Sequence, residues 1–477
     1  MKRLFLILSL FVFIACDPDE KKLPPTGYMD VSEHIKGEVA SLKISADSDK
    51  ISETEAMNVA KLTGLYKTAD TKSESSKEVE NVVTITNDAG EAIMYAVNYK
   101  HNQGYTLISA TKNYYPILAE VPTGQFNENV YNTGASVLLS GYKAEISHVD
   151  TLPADSISQF RNMWKVYEKQ NTPQVVGTKL NEFDTFITNQ LQEWSETAHD
   201  FYSLENAQFM LPADIYQYFC SVAQGVAHPE YDYMTYSYVV ETIDRIDYDE
   251  DDYLLTTLWD QLSPYNYSCY LGLGQYDTLG CGAVAMGQIM KYHQWPNLSW
   301  SWNSMPNQLS VSTIGETPLS QFLYSVALKI QTDGYPLNYS YISDVYDSFR
   351  NDYDYSCSLI SHSKSKVITS ISNSRPVYMV GYTTDGSKGH SWVCDGYGFS
   401  QQRIVYTLYV IATSHTLEYV SACDPSDGDI LSAGNYFHMN WGWGGRNNGW
   451  FVDSPYATNV NGYSEGRQDI VDIRKNN

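Results

Sequence analysis

The stretch Gly274-Gln275-Tyr276-Asp277-Thr278-Leu279-Gly280-Cys281-Gly282-Ala283-Val284-Ala285-Met286-Gly287-Gln288-Ile289-Met290 decides how this chain is read. Small residues follow Cys281, and Met286, Ile289 and Met290 recur at helical spacing, so a helix is expected to start at the cysteine and to end before Pro296. A cysteine at a helix N-terminus meets the positive end of the helix dipole and backbone N–H groups without intrahelical partners, which favours its thiolate. Gln275 lies one turn upstream and could aim its amide at an oxyanion forming beside the sulfur. Taken alone, Cys281 is more often a buried structural cysteine, and Gln275 a surface side chain.

Two further stretches supply partners for such a thiol. Gly389-His390-Ser391-Trp392-Val393-Cys394-Asp395-Gly396 follows a loop and opens an alternating strand, so His390 can project into a cleft as general base and acid. His438-Met439-Asn440-Trp441-Gly442-Trp443-Gly444-Gly445 ends a strand. There the Asn440 amide could accept from the imidazole N–H and fix its tautomer, while the Trp441 indole excludes water. Singly, these read as a structural histidine and a packed aromatic turn.

The order Gln, Cys, His, Asn-Trp resembles the streptopain-like cysteine peptidases, the bacterial branch of the papain-like clan. The resemblance is carried by Trp259-Asp260-Gln261, Pro264-Tyr265-Asn266, Gly280-Cys281 running into Gln288-Ile289-Met290-Lys291-Tyr292-His293, and the His390 and Asn440 blocks, and it covers residues 245–477. It implies a two-lobed α+β papain-like fold, one lobe helical and one antiparallel β. It implies Cys281 as nucleophile, His390 as base, Gln275 and the Cys281 N–H as oxyanion hole, and Asn440 and Trp441 as orienting and shielding groups. No metal or organic cofactor is called for. Met94-Tyr95-Ala96-Val97-Asn98, Gly104 to Ala110 and Pro116 to Glu120 are similar to that family's inhibitory propeptide, which implies a zymogen whose own pro-region is a partner. Gly282 stands where the family more often has a larger residue. His390 and Asn440 are 50 positions apart, further than the family's connection, so the extra segment 398–434 is expected to be an added β-hairpin or flap near the cleft.

The rest of the chain fits an exported enzyme. At 477 residues, and about 150 per domain, roughly three domains are expected. Residues 1–16 resemble a bacterial lipoprotein signal: Lys2-Arg3, an apolar run from Leu4 to Ala15, then Cys16 as the lipidation site and an abrupt polar turn. An ordinary secretory peptide with an incidental Cys16 is the alternative. Cell-envelope attachment through the lipid, or release after maturation, is the expected location. Residues 17–150 read as a linker and an α+β propeptide, with a helix over 54–66 and strands over 82–85, 92–99, 105–110 and 117–121. Residues 151–244 read as a helical connector. The acidic stretch Asp244 to Asp252 reads as a solvated, protease-accessible linker, since Asp252 and Leu258 spoil the calcium loop that Asp247, Asp249 and Asp251 begin. Cleavage there would free residues 245–477.

The formal charge of −25 argues against nucleic acid or anionic lipid as partners; proteins or peptides as substrates are what the resemblance implies. Aromatic residues at 14% argue against a disordered chain, and seven cysteines without a C-x-x-C give neither a disulfide scaffold nor a zinc knuckle. Two other functions remain on the sequence alone: an envelope peptidoglycan hydrolase, or an inactive surface module for adhesion or inhibition.

Overall fold

A computed structural model describes residues 41–71, 77–127, 130, 133–168, 194, 200–226, 235–248, 253–269, 278–297, 301–412, 417–422, 430–453 and 467–476. Cys16, Gln275 and the expected helical residues 183–191 lie outside them.

The N-terminal unit starts at helix α1, Glu53–Thr71. Ser52 and Glu55 cap it reciprocally: the Ser52 N–H donates to Oε2 of Glu55 at 2.9 Å, and the Glu55 N–H donates to the Ser52 hydroxyl at 3.3 Å. Strands β1 (Val79–Thr86), β2 (Ala92–Tyr99), β3 (Tyr105–Ser109) and β4 (Ile117–Val121) follow as an antiparallel meander. Strand β2 is buried on both faces because a helix covers each. Tyr95 and Val97 pack under Ala56, Val59, Ala60 and Leu62 of α1. Met94 and Ala96 pack under Leu138, Leu139 and Tyr142 of helix α2, Ala135–Ser147. Helix α3, Ala154–Trp164, completes this unit with the fully buried Trp164.

The segment expected to be a helical connector is not purely helical. It carries strand β5 (Asp200–Ser203) and helix α4 (Ala213–Val226), then strand β6, Thr235–Tyr248. Strand β6 therefore takes in Asp244 to Tyr248, the first half of the acidic stretch read as a solvated linker. Alternating charge on a strand resembles a linker locally; its pairing partner lies about 155 residues further on, beyond any local pattern.

The C-terminal part has two lobes, in keeping with the expected α+β class. The helical lobe is built on α5 (Cys281–His293), α6 (Pro318–Ile330) and α7 (Ile342–Asn351). Its core joins Val284, Met286 and Met290 to Phe322, Val326, Val345 and Phe349. The β lobe comprises β7 (Tyr355–Ser361), β8 (Val377–Tyr382), β9 (Gly389–Ala412), β10 (Leu417–Ala422), β11 (Ile430–Asn440), β12 (Gly449–Val452) and β13 (Gln468–Lys475), with helix α8 (Lys364–Ser372) beside it.

Strand β4 pairs antiparallel with β12, Trp450 opposite Glu120 and Phe451 opposite Ala119. The N-terminal meander and the β lobe thus form one sheet, in the order β1-β2-β3-β4-β12-β11-β9-β8-β13-β7. One hydrophobic core runs through both, holding Leu107, Leu118 and Tyr142 together with Trp392, Phe437, Trp441 and Phe451.

Candidate active site

Helix α5 begins at Cys281, as its sequence predicts. The preceding Gly280 has φ 82°, and a Cβ there would meet the Asn338 backbone at 2.8–2.9 Å, so glycine suits this helix entry. Gly282, the departure from the family pattern, has a spatial cause: a Cβ would lie 2.6 Å from the Ser340 hydroxyl oxygen and 3.1 Å from that of Tyr378.

His390 lies near the start of β9 and is 9% exposed. The same strand turns the Ser391 N–H onto Cys281, donating to Sγ at 3.3 Å. Burial alone pushes the Cys281 thiol up, but the adjacent His390 imidazole, by charge and by hydrogen bond, and the Ser391 N–H bring it down from 9 to about 7. For His390, burial favours the neutral ring, yet Cys281 and the Trp441 carbonyl outweigh it and the pKa is raised. The two shifts describe one arrangement, a thiol and an imidazole that stabilise each other as an ion pair.

Nε2 of His390 donates to the main-chain carbonyl of Trp441 at 2.9 Å, a group that can only accept. That bond keeps a proton on Nε2, so that Nδ1 is the nitrogen that gains and loses a proton. Rings of Trp392, Trp441 and Trp443 all have centroids 6.4 Å from that of His390.

The expectation that the Asn440 amide holds His390 is corrected. Asn440 Oδ1 accepts from Gln288 Nε2 at 3.2 Å and from the Gly442 N–H at 3.2 Å, while Nδ2 donates to the Thr257 carbonyl at 2.8 Å. Its amide is consumed in locking the turn after β11 to α5 and to the irregular segment at Thr257, and Trp441 follows on that turn. The His390 partner is the Trp441 main chain, and the Asn440 side chain bonds Gln288, Gly442 and Thr257 instead. The Trp441 side chain is anchored by its own donor, Nε1 to the Asn447 carbonyl at 2.7 Å. Sequence reasoning missed Gln288, Ser391 and Trp443 as parts of the site. Their adjacency to Cys281, His390 and Trp441 in the quoted blocks was the available signal.

The N-terminal unit reaches this site. Helix α2 starts at Gly134, where a Cβ would lie 2.0 Å from His390 Cδ2, 2.6 Å from His390 Nε2 and 2.5 Å from Trp441 Cε3. Further along α2, Val137 touches the point where Gly381 packs on Trp392, and the Ser140 hydroxyl accepts from the Thr384 N–H at 3.2 Å. Tyr142 donates to the Val452 carbonyl at 2.6 Å. Helix α2 therefore lies along the His390 wall with its N-terminus on the imidazole.

Residues 259–451 match the model of the Peptidase C10 family, and residues 48–146 match that of the Spi protease inhibitor. The streptopain-like resemblance read from the sequence holds for both segments. Among curated proteins, the thiol protease/hemagglutinin PrtT of Porphyromonas gingivalis is 29% identical over 231 residues, covering 41% of this chain and 22% of that protein. Streptopain of Streptococcus pyogenes serotype M28 (strain MGAS6180) is 24% identical over 239 residues, covering 42% of this chain and 50% of that protein. The matches thus span half or less of these relatives' length. Among solved structures, a fragment of Prevotella intermedia prointerpain A aligns with 83% of this chain and 98% of its own, at 14% identity and a TM-score of 0.40.

Proposed function

We propose that this chain, which joins a Peptidase C10 segment to an Spi protease inhibitor segment, is a cysteine endopeptidase made as an exported, lipid-anchored zymogen. The observation that carries the catalytic reading is the Cys281 thiol at the start of α5, drawn down to about 7 beside His390. The Cys281 thiolate attacks a scissile carbonyl and forms a thioester as the amine leaves with a proton from His390. His390 then takes a proton from water, and the hydroxide so formed releases the acid and regenerates the thiol. Gln275 and the Cys281 N–H hold the oxyanion. The Trp441 carbonyl keeps His390 in one tautomer through both halves of the cycle, with Asn440 positioning the turn.

Inhibition by residues 48–146 is supported by Gly134, which stands against the edge of the imidazole, and by α2 along the same wall. Pairing of β4 with β12 holds the unit there by sheet hydrogen bonds, so no covalent contact with Cys281 is needed. Export and anchoring through Cys16 rest on the signal-like residues 1–16.

The test sets wild type beside Cys281→Ala, with casein and cell-wall fragments as alternative substrates. Hydrolysis of casein by the wild type and not by the variant is expected. Equal hydrolysis by both, or turnover of cell-wall fragments alone, overturns the reading.

A further inference from the structure

Among the described residues, strands from the long segment ahead of the Peptidase C10 match and strands from the long stretch between His390 and Asn440 join in one sheet. Strand β6 pairs with β9 without a break, from Thr235 opposite Ala412 to Tyr248 opposite Phe399. Strand β5 adds to the outer edge of β6, Asp200 opposite Glu241 through Ser203 opposite Tyr238. On the other edge of β9, β10 pairs from Leu417 opposite Ile411 to Ala422 opposite Thr407. A separate hydrophobic core closes one face of this sheet. It takes Ala207, Leu211, Ile215, Phe219 and Val239 from the first segment, and Tyr406, Leu408 and Val410 from the second. None of these buried core residues comes from the unit before Asp200. Buried Trp194 lies on Tyr238 and Tyr409, at ring distances of 5.7 and 5.0 Å, so an aromatic contact also spans both segments.

From this geometry we infer that the enzyme freed of its inhibitory unit keeps residues 200–248 as a structural part, and that separation of the two occurs ahead of Asp200. The inference rests on the zymogen reading above. A break within residues 249–252 would sever β6 from the catalytic chain. Yet β6 occupies the edge of the same strand that carries His390. The chain on the far side of those residues returns to that edge at once: Tyr253 bridges Gly396, and the Leu254 and Leu255 N–H groups donate to the Asp395 carbonyl and carboxylate at 2.8 and 3.1 Å. Backbone held in a sheet resists proteolysis until that sheet opens. Loss of 200–248 would also bare Leu408 and Val410, both buried, and leave the outer half of β9 paired with β10 and the beginning of β11 alone.

The active form of the wild type is labelled at Cys281 with iodoacetamide and its mass is read under native and denaturing conditions. The labelled species is expected to contain residues 200–248. An active, labelled species that has lost them overturns the inference. A second arm does not depend on activity: full-length Cys281→Ala is digested with thermolysin and its peptides are followed by mass. Peptides from 200–248 and from 389–412 are expected to appear with half-lives within about twofold of each other, as for one cooperative unit. Digestion of 200–248 while 253–412 persists overturns it. Inactivity of the wild type towards casein would count against the peptidase reading and leave this arm decisive.

Discussion

Gly134 and His390 are in contact across the boundary between the two matched segments: a methyl group on the glycine would overlap the imidazole, 2.0 Å from Cδ2 and 2.6 Å from Nε2. The backbone at Gly134 is αR, φ −60° and ψ −24°, which any residue adopts, so glycine is required there by space and not by conformation.

Gly134→Ala is accordingly expected to loosen α2 from the site without unfolding the unit. Alkylation of Cys281 in the unprocessed chain should speed up by about tenfold, the effect of an overlap costing about 1.4 kcal/mol or more in the closed form. An unchanged rate would show that the unit does not bar the cleft through this contact.

Alkylation of Cys281 follows its thiolate, so the rate in wild type should rise with pH through a midpoint near about 7 and be slow below it. In His390→Ala the favourable partner is gone and burial is opposed by Ser391 alone. The midpoint should then move clearly upward. A midpoint that stays near 7 in the variant would mean that His390 does not set the thiolate.

Asn440→Ala removes the acceptor for Gln288 and Gly442 and the donor to Thr257, all buried. A loss of about 1–3 kcal/mol in unfolding free energy is expected, read by denaturant titration. The Cys281 midpoint should stay where it is in wild type, because the His390 bond is made by a main-chain carbonyl that the substitution retains. A shifted midpoint would put Asn440 back in direct charge of the imidazole.

Gln275→Ala should lower kcat by about 10²- to 10³-fold with little change in KM, the signature of a lost oxyanion donor. A fall below threefold, about 0.65 kcal/mol, would remove Gln275 from that role.

Cys16 carries the lipid in the proposed maturation. The wild-type N-terminal peptide should then bear the mass of a thioether-linked diacylglycerol and the protein should partition with membranes, and Cys16→Ser should do neither. An unmodified wild-type Cys16, or removal of that residue with the signal, would exclude the anchor.

Much of the architecture is legible where the pattern is local. Strands over 92–99 and 117–121 and the helix opening at Cys281 are read at their observed ends or start, and Ala56, Val59, Ala60 and Leu62 form the buried stripe that their spacing predicts. Illegible were the contacts that join distant segments. Asn440 has the chemistry to hold a histidine, and its amide is instead satisfied by Gln288 and Thr257. The acidic residues from Asp244 look like a linker, and from Asp244 to Tyr248 their backbone is the end of a strand.

By itself the sequence indicated the class of chain, and through short motifs and the family they resemble it singled out Cys281 and His390 as the candidate pair and an inhibitory unit ahead of them, because each motif rests on residue types within a few positions of one another. Tertiary structure alone decided that the Trp441 carbonyl and not the Asn440 amide holds His390, that Gly134 is the residue against the imidazole, and that β6 pairs with β9. Hydrogen-bond partners and sheet edges are chosen by competition among groups far apart in the chain. The choice depends on where packing brings them, and spacing along the sequence carries no record of it.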